Sequence, residues 1–132
     1  MRFKCRGLYG KKVEGPALVS KNQISLFGDI ADDGTIVAKD SDIRGEKVTG
    51  KVLIFPSARG STVGSYVLLK LKKTGCAPLA IVNKKSDLIV ASGAVIADVV
   101  LVDDVEDEFF STVKSGDRVV VNAEENYVEL IK

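Results

Sequence analysis

Short apolar runs separated by glycine, proline and charged turns dominate the chain, and one of them changes its period part-way. Residues 51–55 form a β-rich apolar run, and Pro56 ends it by withholding a ladder donor. From Val63 the period becomes helical: Val63, Val67 and Leu71 recur at i, i+4, with Leu68 beside them. Lys70, Lys72 and Lys73 fall in the last turn, where cations suit the helix dipole, and Gly75 is a natural stop. Residues 51–73 therefore predict a strand, a tight turn and a helix.

The same reading places strands over 4–7, 13–19, 24–27, 79–82, 88–90, 99–102, 118–121 and 127–131. Glu14-Gly15-Pro16 marks the second as bulged or at an edge, and Gly28-Asp29 turns out of the third. Residues 99–102 are apolar throughout, as in a strand covered on both faces. Ala91-Ser92-Gly93-Ala94 reads as a small-residue turn between two strands, with an approach of Ser92-Gly93 to the site as the lesser alternative. Residues 105–113 predict an amphipathic helix with Phe109 and Phe110 on or near its buried side, ahead of a closing valine-rich hairpin. Residues 31–46 carry Asp32, Asp33, Asp40 and Asp42 without calcium-loop spacing, so they read as a solvated excursion with Arg44 at its surface. The central helix alternating with apolar strands gives an α/β class with a βαβ core, in one domain spanning 1–132.

Composition narrows the chemistry more than the fold. At 45% hydrophobic and 28% charged, the chain is globular rather than disordered. A net charge of +1 with few aromatics offers neither a basic patch nor a stacking platform, so no nucleic-acid partner is expected. No run reaches transmembrane length and the first residues lack a signal-peptide core, so the expectation is cytoplasmic, with no membrane. Without histidine, no Ser–His pair, histidine metal site or phosphohistidine carrier can be built. Cys5 and Cys76 form no C-x-x-C pair, are too few for an iron–sulfur cluster, and read as reduced structural thiols. No metal is expected on this chain, so any metal-assisted chemistry must come from another.

The turn carries the candidate chemistry. Residues 57–64 hold two glycines, three hydroxyls and one guanidinium, with Val63 the one bulky apolar side chain. Backbone N–H groups and the dipole at a helix start favour an anion. Ser61 or Thr62 can cap the helix, and Arg59 offers a planar fork for a carboxylate or phosphate. Spacing alone leaves two readings open, an ordinary capped helix start or an anion site. A Walker A loop is excluded, because no Gly-Lys-Ser/Thr follows.

ARGSTVGSYVL, following KVLIFP, resembles the signature of the small subunit of the aconitase X family. ISLFGDI, GEKVTGKVLIFP and APLAIVNKKSDLIVASGAVIADVVLVDD match further segments, so the resemblance covers residues 24–104. Ala58 stands where the family pattern has glycine, and residues 32–44 lack the histidine that members often carry. The resemblance implies a single swivelling β/β/α domain whose active-site motif is the strand–Gly/Ser turn–helix unit. It implies a hydro-lyase (dehydratase) subunit, active only as a heterodimer with a large subunit that carries a 4Fe–4S cluster. The similarity is greatest to the archaeal branch that converts (R)-5-phosphomevalonate, a small phosphorylated hydroxy acid, to trans-anhydromevalonate 5-phosphate for isoprenoid synthesis. Other branches dehydrate hydroxyproline-type substrates.

In that family a small-subunit serine is the general base, and the resemblance assigns the role to Ser61. A serine hydroxyl needs surroundings that stabilise alkoxide, which a helix start and Arg59 supply. Thr62 and Ser65 are the alternatives, as capping or orienting groups. Arg59, Gly60, Thr62, Gly64 and Ser65 are expected to shape the substrate site, with Gly28-Asp29 as its lip. The competing reading from another class is a non-catalytic anion-binding module using the same loop.

Overall fold

The computed structural model describes residues 1–60 and 63–131. In chain order these form β1 (Arg2–Lys4), β2 (Arg6–Tyr9), β3 (Lys12–Val19), α1 (Leu26–Asp29), β4 (Val52–Phe55), α2 (Gly64–Lys73), β5 (Ala80–Asn83), α3 (Leu88–Ala97), β6 (Val100–Asp103), α4 (Asp107–Thr112), β7 (Arg118–Asn122) and β8 (Tyr127–Ile131). The run β4–α2–β5–α3–β6 is the expected βαβ core: β4 pairs parallel with β5, and β5 with β6. All four residues of each of these strands are buried, because both faces are covered. Leu53, Phe55, Ile81 and Leu101 join one core with α2, α3 and the apolar residues of the 24–48 segment. Val52, Ile54, Val82 and Val102 join the other with Val119, Val121, Val128 and Leu130 of the hairpin, closed by Phe109 edge-on to Phe3 at 5.3 Å. Helices, parallel strands and hairpin thus make the α, β and β layers.

The hydrogen-bonded order is β1-β8-β7-β3-β4-β5-β6-β2. β1 and β2 flank Cys5 in sequence yet lie at opposite ends of that order, so the sheet curls until its ends meet. Cys5 N–H donates to the Asn126 carbonyl at 3.1 Å, and Gly7 N–H to Asn126 Oδ1 at 2.9 Å. A Cβ at Gly7 would run into the Ala123 carbonyl oxygen, which keeps glycine at the seam. The one strand expected over 4–7 is therefore two. At this seam the Cys5 thiol pKa is pushed up to about 11, by burial and then by the nearby Asp103 carboxylate; both cysteines are free thiols.

Four further expectations are corrected. β3 is neither bulged nor an edge: Lys12–Pro16 pair with β7 and Ala17–Val19 with β4. Pro16 falls where the strand changes partners, so its missing N–H costs little ladder. Residues 24–27 are not a strand. Ile24 makes one bridge to Ala58, and the chain then coils through α1, a kinked turn in which Gly28 has φ +109°. The expected strand at 88–90 and turn at 91–94 are both α3, started by Asp87, whose side chain accepts from Val90 N–H, and ended by left-handed Asp98. Residues 31–46 are anchored rather than merely solvated, since Ile36 and Ile43 are buried in the helix-side core. Their acids bind locally: Asp42 accepts from Ser20 Oγ and Lys21 N–H, Asp33 from Thr35 N–H, and Asp32 pairs with Lys70. Among the described residues no helix is long and apolar enough to cross a membrane.

Candidate active site

The parallel strands end together, and ligands of open α/β sheets bind outside those carboxyl ends. Here the three departing loops are tied to one another. Lys84 and Lys85 amides both donate to the Pro56 carbonyl, at 2.9 and 3.2 Å, and Asp104 N–H donates to the Lys84 carbonyl at 3.1 Å. Beneath them Asn83 Nδ2 donates to the Phe55 carbonyl at 3.0 Å from inside the core. The turn after β4 thus leaves from a fixed point.

That turn is held on its other side by residues 23–29. Arg59 N–H donates to the Ile24 carbonyl at 3.0 Å, and Gln23 Nε2 to Ser57 Oγ at 2.8 Å. Arg59 Nη2 lies 3.6 Å from Asp29 Oδ2, which also accepts from Ser25 N–H at 2.8 Å. The guanidinium is 48% exposed, so Asp29 aims it without enclosing it. Gly60 sits at φ +96°, and a Cβ there would come within 2.8 Å of Ser25 Oγ. Glycine is needed both for the left-handed backbone and for that close approach.

Helix α2 begins at Gly64 with Val63 in the N-cap position, while Ser61 and Thr62, the caps expected from sequence, lie outside the described residues. Packing fixes this start: a Cβ on buried Gly64 would lie 3.3 Å from Leu26 Cβ and 3.4 Å from Ile89 Cγ2. Val63 itself is 41% exposed, so the buried stripe of α2 runs through Gly64, Leu68 and Leu71 instead. At the other end, Lys70, Lys72 and Lys73 occupy the last turn and Gly75 follows at φ +77°, as expected.

Arg59, Gly60 and Gly64 come together around a hollow of about 20 Å³, room for one water, with Leu26, Ala58, Asp87 and Ile89. Arg59 also borders a polar cavity of about 520 Å³ that includes Lys21, Asn22, Gln23, Asp40 and Ser41. Ser65 is half-buried and faces α3: a Cβ on Gly93 would stand 3.0 Å from its Cα. Gly93 therefore reaches the site as a helix contact rather than as a turn. Ser61 and Thr62 lie outside the described residues. A larger cavity, about 780 Å³, opens at the opposite end of the strands around Tyr9, Lys72 and Asp98 and contains none of the candidate residues.

Two features had little sequence signal. Nothing in the pattern marks Ser25, whose importance comes from contact with Gly60. Asp103 is fully buried and accepts both prongs of Arg6, each at 2.8 Å, and Ser86 N–H at 2.9 Å. Burial pushes its carboxyl up, but the Arg6 and Ser86 hydrogen bonds and the charges of Arg6 and Lys85 together carry it below the usual range. Its partner is 97 residues away in sequence. Among the described residues no group of three or more His, Cys, Asp or Glu could hold a metal ion. The two cysteines fall short of the thiolates an iron–sulfur cluster takes.

This architecture has known counterparts. A family model described as the aconitase X swivel domain matches residues 2–130. A phosphomevalonate dehydratase small subunit from Archaeoglobus fulgidus is 53% identical over 132 residues, covering all of both chains. One from Thermococcus sibiricus is 44% identical over 131 residues, 98% of each chain. Among solved structures, the holo-form aconitase X of Thermococcus kodakaraensis superimposes with a TM-score of 0.95 at 41% identity, over 100% of this chain and 99% of that one. With the strand–turn–helix motif, the three layers and the full-length matches in agreement, this chain belongs to the aconitase X swivel domain family.

Proposed function

We propose that this chain is the small subunit of a two-chain hydro-lyase that dehydrates (R)-5-phosphomevalonate to trans-anhydromevalonate 5-phosphate in the archaeal cytoplasm. The observation that carries this reading is the end-to-end match to relatives named phosphomevalonate dehydratase small subunit. The residues of this chain do not fit an iron–sulfur cluster, so the reading puts the 4Fe–4S cluster on the large subunit, as the Lewis acid of the reaction.

Dehydration breaks a C–H bond and a neighbouring C–O bond. The proton goes to Ser61 Oγ as its alkoxide, the C–H electron pair forms the double bond, and the hydroxyl leaves toward the Lewis acid that the large subunit would supply. Ser61 directly follows Gly60 in sequence and precedes α2. The alkoxide that must form before the transfer is favoured there by the helix dipole and by Arg59. Arg59, aimed by Asp29, also attracts a carboxylate or phosphate of the substrate. Gly60 and Gly64 let the backbone lie close to Ser25, Leu26 and Ile89, which sets where the turn stands. Thr62 and Ser65 orient or cap.

The test is anaerobic co-expression with the cognate large subunit, followed by assay of 5-phosphomevalonate dehydration. The expected result is turnover that requires both chains. Equal turnover by the large subunit alone, or none by the pair, overturns the reading.

A further inference from the structure

Helix α3, LIVASGAVIA, contains no charged residue, and one face of it meets solvent. Leu88 is 78% exposed, Val95 53% and Ile96 54%. With Ala91 and Ser92 they recur at i, i+3, i+4, i+7 and i+8, one stripe along the helix, and border an apolar hollow of about 410 Å³. The inward face is already in use, since Val90, Gly93, Ala94 and Ala97 are buried. A surface helix ordinarily turns a polar face outward. An apolar one marks an interaction surface.

The stripe adjoins the candidate site. Asp87, at the N-cap of α3, and Ile89 share a hollow with Arg59, Gly60 and Gly64. Next to the same turn, Phe27 (58% exposed) and Tyr66 (67%) border another hollow, of about 260 Å³. These side chains flank the candidate site on its helix side.

We infer that the outer stripe of α3, together with Phe27 and Tyr66, is the surface on which the large subunit docks; the inference rests on the two-chain reading above. The relatives' designation as small subunits supplies the occupant, a second and different chain. The lack of charge on the stripe calls for an apolar surface on that chain, not an acidic or basic one. The area is adequate. Five large apolar side chains, each more than half exposed, supply on the order of half of the about 800 Å² that each partner buries in a standard complex.

The experiment measures association of this chain with the cognate large subunit by analytical ultracentrifugation, using wild type and the double variant Leu88→Glu/Val95→Lys. An acid at the first turn and a base at the last suit the helix dipole, so α3 is kept. Circular dichroism and urea unfolding of the free chain verify this. The double variant is expected to raise Kd by about 100-fold or more, as charges are forced into an apolar contact. Ile131→Lys, a similarly charged change at the exposed end of β8, is expected to leave Kd unchanged. Wild-type affinity in the folded double variant overturns the docking surface while leaving the two-chain reading intact. Failure of the wild type to bind removes the partner and the inference together. Self-association of the free chain that the double variant abolishes assigns the stripe to a second copy and likewise overturns it.

Discussion

Substitution of Gly93 tests the contact that sets α2 against α3. An alanine methyl there stands 2.9 Å from Leu68 Cδ1, 3.0 Å from Ser65 Cα and 3.3 Å from the Ser65 carbonyl oxygen. Leu68 is fully buried, and Ser65 Cα cannot retreat without moving the start of α2. Overpacking of this kind costs about 1–3 kcal/mol. Alanine returns about 1 kcal/mol of helix propensity relative to glycine. Gly93→Ala should therefore lose about 1 kcal/mol, lowering Tm by about 3–6 °C for a chain of this size. Gly93→Val adds three carbons and regains less propensity, so it should lose about 2–3 kcal/mol. Urea unfolding of the free chain, with unchanged m values, reads both numbers. Because the displaced segment carries the candidate site, turnover of the reconstituted Gly93→Ala enzyme should fall about tenfold at full occupancy. Gain of stability in Gly93→Ala, by the amount propensity alone provides, would show that the helices are not in close contact.

Three other outcomes follow from the same geometry. Gly7→Ala drives a methyl into the Ala123 carbonyl oxygen at the sheet seam and should cost about 3 kcal/mol or more, read by chemical denaturation or loss of soluble protein. Asp103→Asn should cost about 1.5–3 kcal/mol at pH 7, the worth of charged hydrogen bonds. Since the folded-state carboxyl lies below its ordinary value near 4, that stabilisation is complete above about pH 4 and fades as pH falls further. The two proteins should therefore converge in stability as pH falls below the ordinary carboxylate value, as urea curves across pH would display. Arg59→Gln should raise KM for the phosphorylated substrate by about tenfold or more through loss of a charged fork, with little change in stability, because its 3.6 Å ion pair is half exposed.

The part of the fold built from local signals was legible. Pro56, the lysines of the last turn and Gly75 punctuate β4 and α2, and the charged turn at 115–117 separates α4 from the hairpin. Helix α3 was not legible, for a physical reason. Its inner face is buried and its outer face is apolar too, so no periodicity distinguishes it from a buried strand and a turn; only Asp87 marks its start. The seam at Cys5 and the partner exchange at Pro16 depend on which strands meet after the sheet curls, and no local pattern encodes that. At the site, glycine spacing located the turn and Arg59. The pairing with Asp29 was only half visible, as a Gly28-Asp29 turn expected at the lip of the site, and the approach of Ser25 to Gly60 left no trace in composition.

We place the proton acceptor on the turn between β4 and α2, and Ser61→Ala in the reconstituted two-chain enzyme is the sharpest test of that placement. Assembly with the large subunit is expected to be unchanged and kcat for 5-phosphomevalonate dehydration to fall by about 10²–10⁴, the usual worth of a positioned base. Assembly with kcat within a few-fold of wild type would contradict it and move the base to another residue.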